Sequence, residues 1–216
     1  KRRRIHKATV RDRVLHHALF RVLNPVFEPT FIPASFSCRI GKGTHKGVDF
    51  LANAIRKVSR NYTRRCFVLK CDIRSFFYSV DHAILLRILM WRVKDAKARW
   101  LLTEIVGSYS STDVLCERER ERESKETSRR KGIPIGNLTS QLFANVYMNE
   151  FDQFLKHELK LKYYARYTDD FVIVADKREV LVGLLPLIQT FLFERLRLSL
   201  HPQKVSITPC HCGIDF

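Results

Sequence analysis

The spacing of apolar residues along the chain predicts a series of helices. Apolar residues recur every three or four positions between Val14 and Leu23, and Asn24-Pro25 is expected to end this helix because proline restricts the residue before it. Either Ser79 or Asp81 is the expected N-cap of a later helix that runs to Leu89. The same spacing predicts further helices over about residues 46–60, 96–108, 138–157 and 180–196.

Two other runs have the composition of strands. Residues 66–73 are almost continuously apolar and predict a buried strand with Asp72 at or near its end. Residues 162–175 are rich in aromatic and β-branched side chains and predict two strands joined by a tight turn, with Asp169 and Asp170 at its tip. A last short strand is expected at Ser206-Ile-Thr208. Together these elements predict an α+β fold with a small antiparallel sheet packed on helices.

The net charge of the chain indicates a polyanionic partner. The chain has 216 residues and a formal net charge of +17, and a basic chain of this kind most often binds nucleic acid, although a merely basic surface has the same composition. The nearly all polar segment 117–130 predicts a solvated loop or a charged helix extension. The six cysteines are irregularly spaced, which favours reduced thiols and a cytoplasmic protein. No apolar run is long enough to span a membrane.

Three carboxylates are predicted to converge at the sheet. Asp72 ends a buried strand and Asp169-Asp170 lie at a hairpin tip, so the three meet if the hairpin pairs beside that strand. Like charges held together repel each other, and a divalent cation is the usual compensation. For the hairpin alone, an ordinary Asp-Asp turn is the alternative. In a basic chain, three converging acids favour metal-assisted phosphoryl chemistry on nucleic acid.

The motifs around these acids resemble those of reverse transcriptases in content and in order. In chain order they are residues 67–82, residues 132–141, Tyr167-Thr-Asp-Asp170, residues 198–204 and Gly213-Ile-Asp-Phe216. The resemblance covers nearly the whole chain and implies the fingers and palm of a right-handed polymerase. Residues 1–66 would be mainly fingers and residues 67–216 mainly palm, with a fingers or connector excursion around 85–132. A thumb is expected to follow Phe216.

The resemblance assigns metal ligands. Asp72 and Asp169 would be the principal ligands of two Mg²⁺ ions, with Mn²⁺ as a substitute, and Asp170 would assist. The backbone carbonyl of Ile73 would complete the shell of one ion.

Basic residues receive roles from the same resemblance. Lys204 would lie near the triphosphate and protonate the departing pyrophosphate, and a solvated lysine is the alternative. Lys1 and Arg3 would clamp the triphosphate, and a solvated basic tail is the alternative.

Three further positions would contact the nucleotide or template. Phe77 would lie under the incoming sugar and exclude a ribose 2′-hydroxyl, although its neighbour Phe76 competes for that role and ordinary core packing is the alternative. Gly136 would allow close backbone approach to the nucleotide. Gln141 would lie on the helix beneath the template base.

Ile135 suggests a subfamily. The pattern Ile135-Gly-x-x-x-Ser-Gln141 and the segment Arg11–Ala18 resemble reverse transcriptases of diversity-generating retroelements, whereas intron-encoded and retroviral enzymes usually carry Gln or Arg at the position of Ile135. That resemblance implies error-prone copying of a template RNA, with errors concentrated at adenines. An aliphatic side chain cannot hydrogen-bond the incoming nucleotide, and loss of a polar contact lowers discrimination.

The expected function is therefore RNA-directed DNA synthesis. The enzyme would be a nucleotidyltransferase that uses an RNA template, a DNA or RNA primer and dNTPs, with an accessory protein left open. One alternative is a group II intron-like maturase reverse transcriptase, and another is a non-catalytic, polymerase-derived RNA-binding module. A viral RNA-dependent RNA polymerase is less favoured, because Phe77 would exclude ribonucleotides.

Overall fold

The computed structural model describes residues 8–111 and 129–212. The helices are α1 (Val10–Phe27), α2 (Thr44–Val58), α3 (Phe76–Ser79), α4 (His82–Arg92), α5 (Ala96–Gly107), α6 (Leu138–Gln153) and α7 (Arg178–Leu196). The strands are β1 (Phe67–Asp72), β2 (Tyr164–Tyr167), β3 (Asp170–Ala175) and β4 (Ser206–Pro209). The expectations for Lys1 and Arg3, for the polar segment up to residue 128 and for Gly213-Ile-Asp-Phe216 lie outside the described residues.

Contacts within the chain define two compact units. The first comprises the chain up to Pro29 together with Ser75–Tyr147, and the second comprises Thr30–Arg74 together with the chain from Met148 onwards. The first unit is helical in its described part, and the second contains all four strands. The division into fingers up to residue 66 and palm from residue 67 stays a prediction, because the units are defined by contacts and not by function.

The sheet has the order β2-β3-β1-β4, and every neighbouring pair is antiparallel. Helices α2 and α7 both contact the sheet. Side chains of α7 that are spaced one helical turn apart are buried: Leu181, Leu184, Ile188 and Leu192. The predicted α+β architecture, with a small antiparallel sheet packed on helices, is confirmed.

Strand β1 is an interior strand between β3 and β4, which explains its continuous apolar sequence. Val68, Leu69 and Cys71 are all buried, so both faces of the strand are covered and no polar alternation is required. Burial raises the pKa of the Cys71 thiol to about 12, and this cysteine behaves as a small hydrophobic side chain. The strand therefore delivers Asp72 from the buried interior of the sheet.

Helix α1 does not end at Asn24-Pro25 as predicted. It includes Pro25 and continues to Phe27, and the Glu28 N–H donates to the Asn24 carbonyl at its C-terminus. Proline fixes φ at a value that a helix accepts, and its penalty is the lost hydrogen bond and the crowding of the preceding turn. Leu23 and Phe27 are buried on either side of it, so apolar packing offsets that penalty.

The other helix boundaries agree with the predictions within a few residues. Asp81, not Ser79, is the N-cap of α4, since its carboxylate accepts from the Ile84 N–H at 3.1 Å. The predicted helix over 138–157 changes character after Gln153, where a π-helical turn, Phe154–Glu158, follows α6. Among the helices that the structure describes, none is both long and apolar enough to cross a bilayer.

Candidate active site

The sheet brings the predicted acids together. Asp72, the last residue of β1, pairs directly across the sheet with Asp170, the first residue of β3. Asp169 precedes Asp170 in the β2–β3 turn, and its carbonyl accepts a hydrogen bond from the Ile73 N–H at 3.3 Å. The hairpin thus lies beside β1, which is the arrangement that convergence of the three carboxylates requires.

Electrostatic repulsion is present within this group of acids. Burial raises the pKa of the Asp170 carboxyl, and the negative charge of Asp72 raises it further, while Lys70 and Lys204 act in the opposite direction. Asp72 is only 7% exposed. The charged form of Asp170 is therefore disfavoured, and a cation bound beside these carboxylates would stabilise it.

Lys204 already contacts one of these acids. Its Nζ donates to Asp72 Oδ2 at 2.9 Å, and this hydrogen bond raises the pKa of the lysine. The backbone positions the contact, because the His201 N–H donates to the Asp72 carbonyl at 2.8 Å and the Lys204 N–H donates to the His201 carbonyl at 3.0 Å. The lysine side chain is half exposed, so the ion pair adds little stability and its importance is positional.

The donor set fits magnesium. Within residues 8–111 and 129–212, no group of three or more His, Cys, Asp or Glu side chains is arranged to enclose a metal ion. Mg²⁺, however, is usually bound by one or two carboxylates, water and substrate phosphates, and not by a closed protein cage. Asp72 and Asp170 face each other, and Asp169 is adjacent. These are hard oxygen ligands of the required type, with Lys204 as a competing cation at Asp72.

A buried arginine holds the turn that carries the acids. Arg166 on β2 is fully buried and makes a bidentate ion pair with Asp152, with Nε to Oδ1 at 2.8 Å and Nη2 to Oδ2 at 2.7 Å. Its Nη1 donates to the Thr168 carbonyl in the turn at 2.8 Å. The Tyr164 hydroxyl also donates to Asp152, at 2.7 Å. This network links the π-turn end of α6 to the residue just before Asp169.

The segment that precedes α2 completes the support of the turn. The Thr168 hydroxyl donates to Ser37 Oγ at 2.6 Å, and Arg166 Nη2 donates to Ser35 Oγ at 3.1 Å. The Arg166 N–H donates to the Ala34 carbonyl at 3.0 Å, so this segment runs alongside β2. Sequence reasoning missed all of these supporting residues. The available signal was a single arginine within an apolar strand, which demands a buried partner.

Comparison with known proteins now identifies the family. The family model described as "Reverse transcriptase (RNA-dependent DNA polymerase)" matches residues 1–212. The chain belongs to the reverse transcriptase family.

Curated relatives of this reverse transcriptase chain match it over about three quarters of its length. "Protein YkfC" of Escherichia coli (strain K12) is 28% identical over 157 residues, which cover 73% of this chain and 38% of that protein. "Group II intron-encoded protein LtrA" of Lactococcus lactis subsp. cremoris is 25% identical over 155 residues, which cover 72% of this chain and 23% of that protein. The matches span less than two fifths of the length of either relative.

Solved structures of telomerase share the fold. Telomerase from Candida tropicalis in complex with a TWJ fragment of telomeric RNA superimposes with a TM-score of 0.62 and 12% identity, over 96% of this chain and 35% of that chain. Apo telomerase from the same organism gives a TM-score of 0.60 and 11% identity, over 94% and 38%. The likeness shows the fingers-and-palm polymerase fold.

In this reverse transcriptase, Phe77 and not Phe76 is accessible. Phe76 is 1% exposed and belongs to the core, whereas Phe77 is half-buried, with the two ring centroids 5.4 Å apart. The Phe77 carbonyl accepts from the Ile133 N–H at 2.7 Å, which anchors α3 to residues 132–141, which we call the second palm motif. The exposure of Phe77 is therefore compatible with the predicted contact between its ring and the incoming sugar.

The second palm motif forms a tight turn before α6. Gly136 has φ +117°, a conformation that favours glycine, and it is exposed beside the half-buried Ile135. Gln141 is exposed in the first turn of α6. Gly132 at the start of the motif has φ +102°, and a Cβ there would lie 2.8 Å from Ser111 Cβ. The backbone of this motif thus depends on glycine at two positions, Gly132 and Gly136.

The predicted site residues divide between the two units. Asp72, Ile73, Asp169, Asp170 and Lys204 belong to the second unit and lie around one end of β1. The residues expected at the nucleotide, which are Phe77, Ile135, Gly136 and Gln141, belong to the first. The catalytic and binding roles of all of them stay predictions.

Proposed function

We propose that this chain is the fingers-and-palm part of an RNA-directed DNA polymerase that extends a DNA or RNA primer along an RNA template with dNTPs. The pairing of Asp72 directly opposite Asp170, with Asp169 in the adjoining turn, carries the proposal. Membership of the reverse transcriptase family supports it. The formal charge of +17 matches a nucleic-acid partner, and we expect the protein to act inside the cell.

The acids are proposed to bind two divalent cations, Mg²⁺ or Mn²⁺. Bound there, the cations would activate the primer 3′-hydroxyl and stabilise the leaving pyrophosphate oxygen. Asp72 and Asp169 are the principal proposed ligands, with Asp170 and the Ile73 carbonyl assisting. Arg166 fixes the turn through the Thr168 carbonyl, so the carboxylates keep their positions without reorganisation during the reaction.

Lys204 is proposed to hold the proton that pyrophosphate receives. The hydrogen bond to Asp72 raises the pKa of the lysine, so Nζ stays protonated at neutral pH. The side chain is 51% exposed, and it has room to turn from Asp72 towards a departing anion.

The test is primer extension on an RNA template with the Asp169→Asn variant. Removing one charge from the carboxylate group should lower Mg²⁺-dependent dNTP incorporation by at least about a hundredfold, because a bound metal contributes several kcal/mol of charge stabilisation. Asp176→Asn is the matched control, since Asp176 is exposed just beyond the other end of β3 and should leave activity unchanged.

Two outcomes would contradict the proposal. Full activity in Asp169→Asn would show that the carboxylates do not take part in nucleotide addition as proposed. Absence of Mg²⁺-dependent incorporation by the unaltered chain, with template binding retained, would favour a non-catalytic RNA-binding module.

Ile135 supports an error-prone enzyme of the diversity-generating type. The side chain lies half-buried in the turn before α6 and has no polar group with which to sense the geometry of the incoming nucleotide. Installing a hydrogen-bonding side chain in Ile135→Gln is expected to lower misincorporation opposite adenines several-fold, since buried polar contacts discriminate more strongly than apolar ones. Sequencing of the cDNA products measures this directly.

The control for Ile135→Gln is Ile40→Gln, because Ile40 is 85% exposed and the same chemical change there should not alter fidelity.

The second candidate function is an intron-type reverse transcriptase, which the similarity to LtrA favours. Accurate copying by the unaltered chain, with no change in Ile135→Gln, would select that candidate over the diversity-generating type.

A further inference from the structure

Both tryptophans of the chain are strongly exposed. Trp91, near the end of α4, is 77% exposed and Trp100, on α5, is 64% exposed. Tryptophan is highly buried on average in folded proteins, because it is the largest apolar side chain. Two such rings in neighbouring helices remain in contact with solvent, where a ligand could reach them.

The helices that carry the tryptophans are firmly joined. Asp95 caps α5 by accepting from the Ala98 N–H at 2.8 Å. The Arg99 guanidinium donates to the carbonyls of Val93 at 2.8 Å and Met90 at 3.0 Å, so α5 is tied to the end of α4. The rings therefore stand on an ordered element and not on a loose loop.

Basic residues lie close to both tryptophans along the chain. Lys94 Nζ lies 5.7 Å from the centroid of the Trp91 ring. Arg87 precedes Trp91 by four residues on α4, and Lys97 precedes Trp100 by three on α5, so each shares a helical face with its tryptophan. We call these five exposed residues the tryptophan surface: Arg87, Trp91, Lys94, Lys97 and Trp100.

We propose that the tryptophan surface binds single-stranded RNA. Exposed aromatic rings on which bases stack, interleaved with cations that contact phosphates, are the combination used for single strands. The surface uses none of the residues assigned to nucleotide addition, so it is a second nucleic-acid contact of this chain. The choice of RNA over DNA rests on the proposed function, whereas the stacking surface does not.

Charge argues against the other occupants. The centre of a protein–protein interface is usually depleted of charged residues. Here Lys94 lies over one ring, and basic residues flank both. Asp95, which lies between the two tryptophans in the sequence, is engaged as the cap of α5, and the exposed Glu104, one turn after Trp100, is the acid on the same helical face. A polyanion with flat apolar groups therefore complements the surface best.

The two tryptophans also supply the assay, because the intrinsic tryptophan fluorescence of this chain comes from this surface alone. Titration with an oligouridine of about 12 nucleotides, within the range of single-strand site sizes, should quench the fluorescence saturably. Quenching that does not saturate, or that is absent, would overturn the proposal.

Fluorescence anisotropy of labelled oligouridine measures how replacing the tryptophans or the lysines of the surface changes its affinity. The double variant Trp91→Ala/Trp100→Ala should weaken binding about tenfold or more, given the energy of base–aromatic stacking. Phe193→Ala is the control, because Phe193 on α7 is 72% exposed and lies outside the surface. Lys94→Ala/Lys97→Ala should reduce the slope of log affinity against log salt by about 1.4, which is the expectation for two phosphate contacts to a single strand.

Comparison ligands separate the sources of quenching. Equal binding of oligothymidine would overturn the assignment to RNA, and equal quenching by anionic lipid vesicles would overturn the nucleic-acid assignment. Unchanged affinity in both double variants would place RNA elsewhere on the chain and overturn the surface. Primer extension reports independently on the proposed function, since saturable quenching without dNTP incorporation would support the surface and contradict the polymerase.

Discussion

Single buried ionisable residues show how this fold changes side-chain chemistry. His82 opens α4 and is 6% exposed, and its Nε2 lies 2.6 Å from the Gly132 carbonyl. Burial lowers the pKa of His82, and the hydrogen bond to Gly132 opposes that effect. The imidazole is therefore held neutral where it anchors the start of the second palm motif.

A stability change with pH follows from His82. Because the pKa in the folded protein is below the unfolded value of 6.5, the unfolded chain binds protons more readily, and the free energy of unfolding should fall as pH drops through and below 6.5. In His82→Gln the fall between about pH 7.5 and pH 5.5 should be smaller. Urea unfolding at the two pH values measures the difference.

The exposed His45 supplies the control for this measurement. His45→Gln should show the same dependence on pH as the unaltered chain. An equal fall in the free energy of unfolding between the two pH values in His82→Gln and His45→Gln would show that His82 does not carry the effect. Part of the dependence should persist in His82→Gln, because burial lowers the pKa of His16 as well.

At the level of secondary-structure elements, the β2–β3 hairpin depends on side chains distant in the sequence. Arg166 reaches Asp152 in α6, Ser35 before α2 and the Thr168 carbonyl in the turn. The short strands alone would form a marginal hairpin. The network converts it into a fixed support for Asp169 and Asp170.

Breaking the ion pair between Arg166 and Asp152 should lower the stability of the protein. Asp152→Asn leaves the fully buried Arg166 charge without its counter-ion, and the loss of stability should be about 3 kcal/mol or more. Glu150→Gln, an exposed change on the same helix, should stay within about 0.5 kcal/mol. Chemical denaturation measures both. Similar small losses in the two variants would contradict the assigned importance of the pair.

A double variant separates stability from positioning. Replacing both partners in Asp152→Leu/Arg166→Met removes the charges together and should recover much of the lost stability, as seen for other buried pairs. Primer extension should not recover, because the donor to the Thr168 carbonyl is gone. Recovery of both would show that the arginine acts through stability alone.

Across the whole molecule, the sequence predicted the fold class, the order of elements and the family, while the supporting contacts escaped it. Helices and strands repeat their apolar positions locally, so α2, α5 and β1 were found to within a few residues. Helix α1 was cut short because the local rule for proline ignores the buried Phe27 beyond it. Local patterns report local structure, and long-range packing overrides them where buried area is large.

At the candidate site, too, the local sequence predicted the acids but not the contacts around them. Asp72, Asp169 and Asp170 were identifiable from apolar runs that end in acids, since such runs deliver charges to the ends of buried strands. The contacts that define their environment join residues more than a hundred positions apart, as with Lys204 and Asp72 or Arg166 and Ser35. No periodicity links such pairs.

Residue types and their local order were therefore sufficient for the acidic triad, the basic charge and the reverse transcriptase family. Three features emerged only once the chain was folded: the ion pair of Lys204 with Asp72, the buried clamp on the hairpin turn, and the exposure of both tryptophans. The physical reason is that burial and hydrogen-bond partners are properties of neighbours in space, and these neighbours are set by packing between elements distant along the chain.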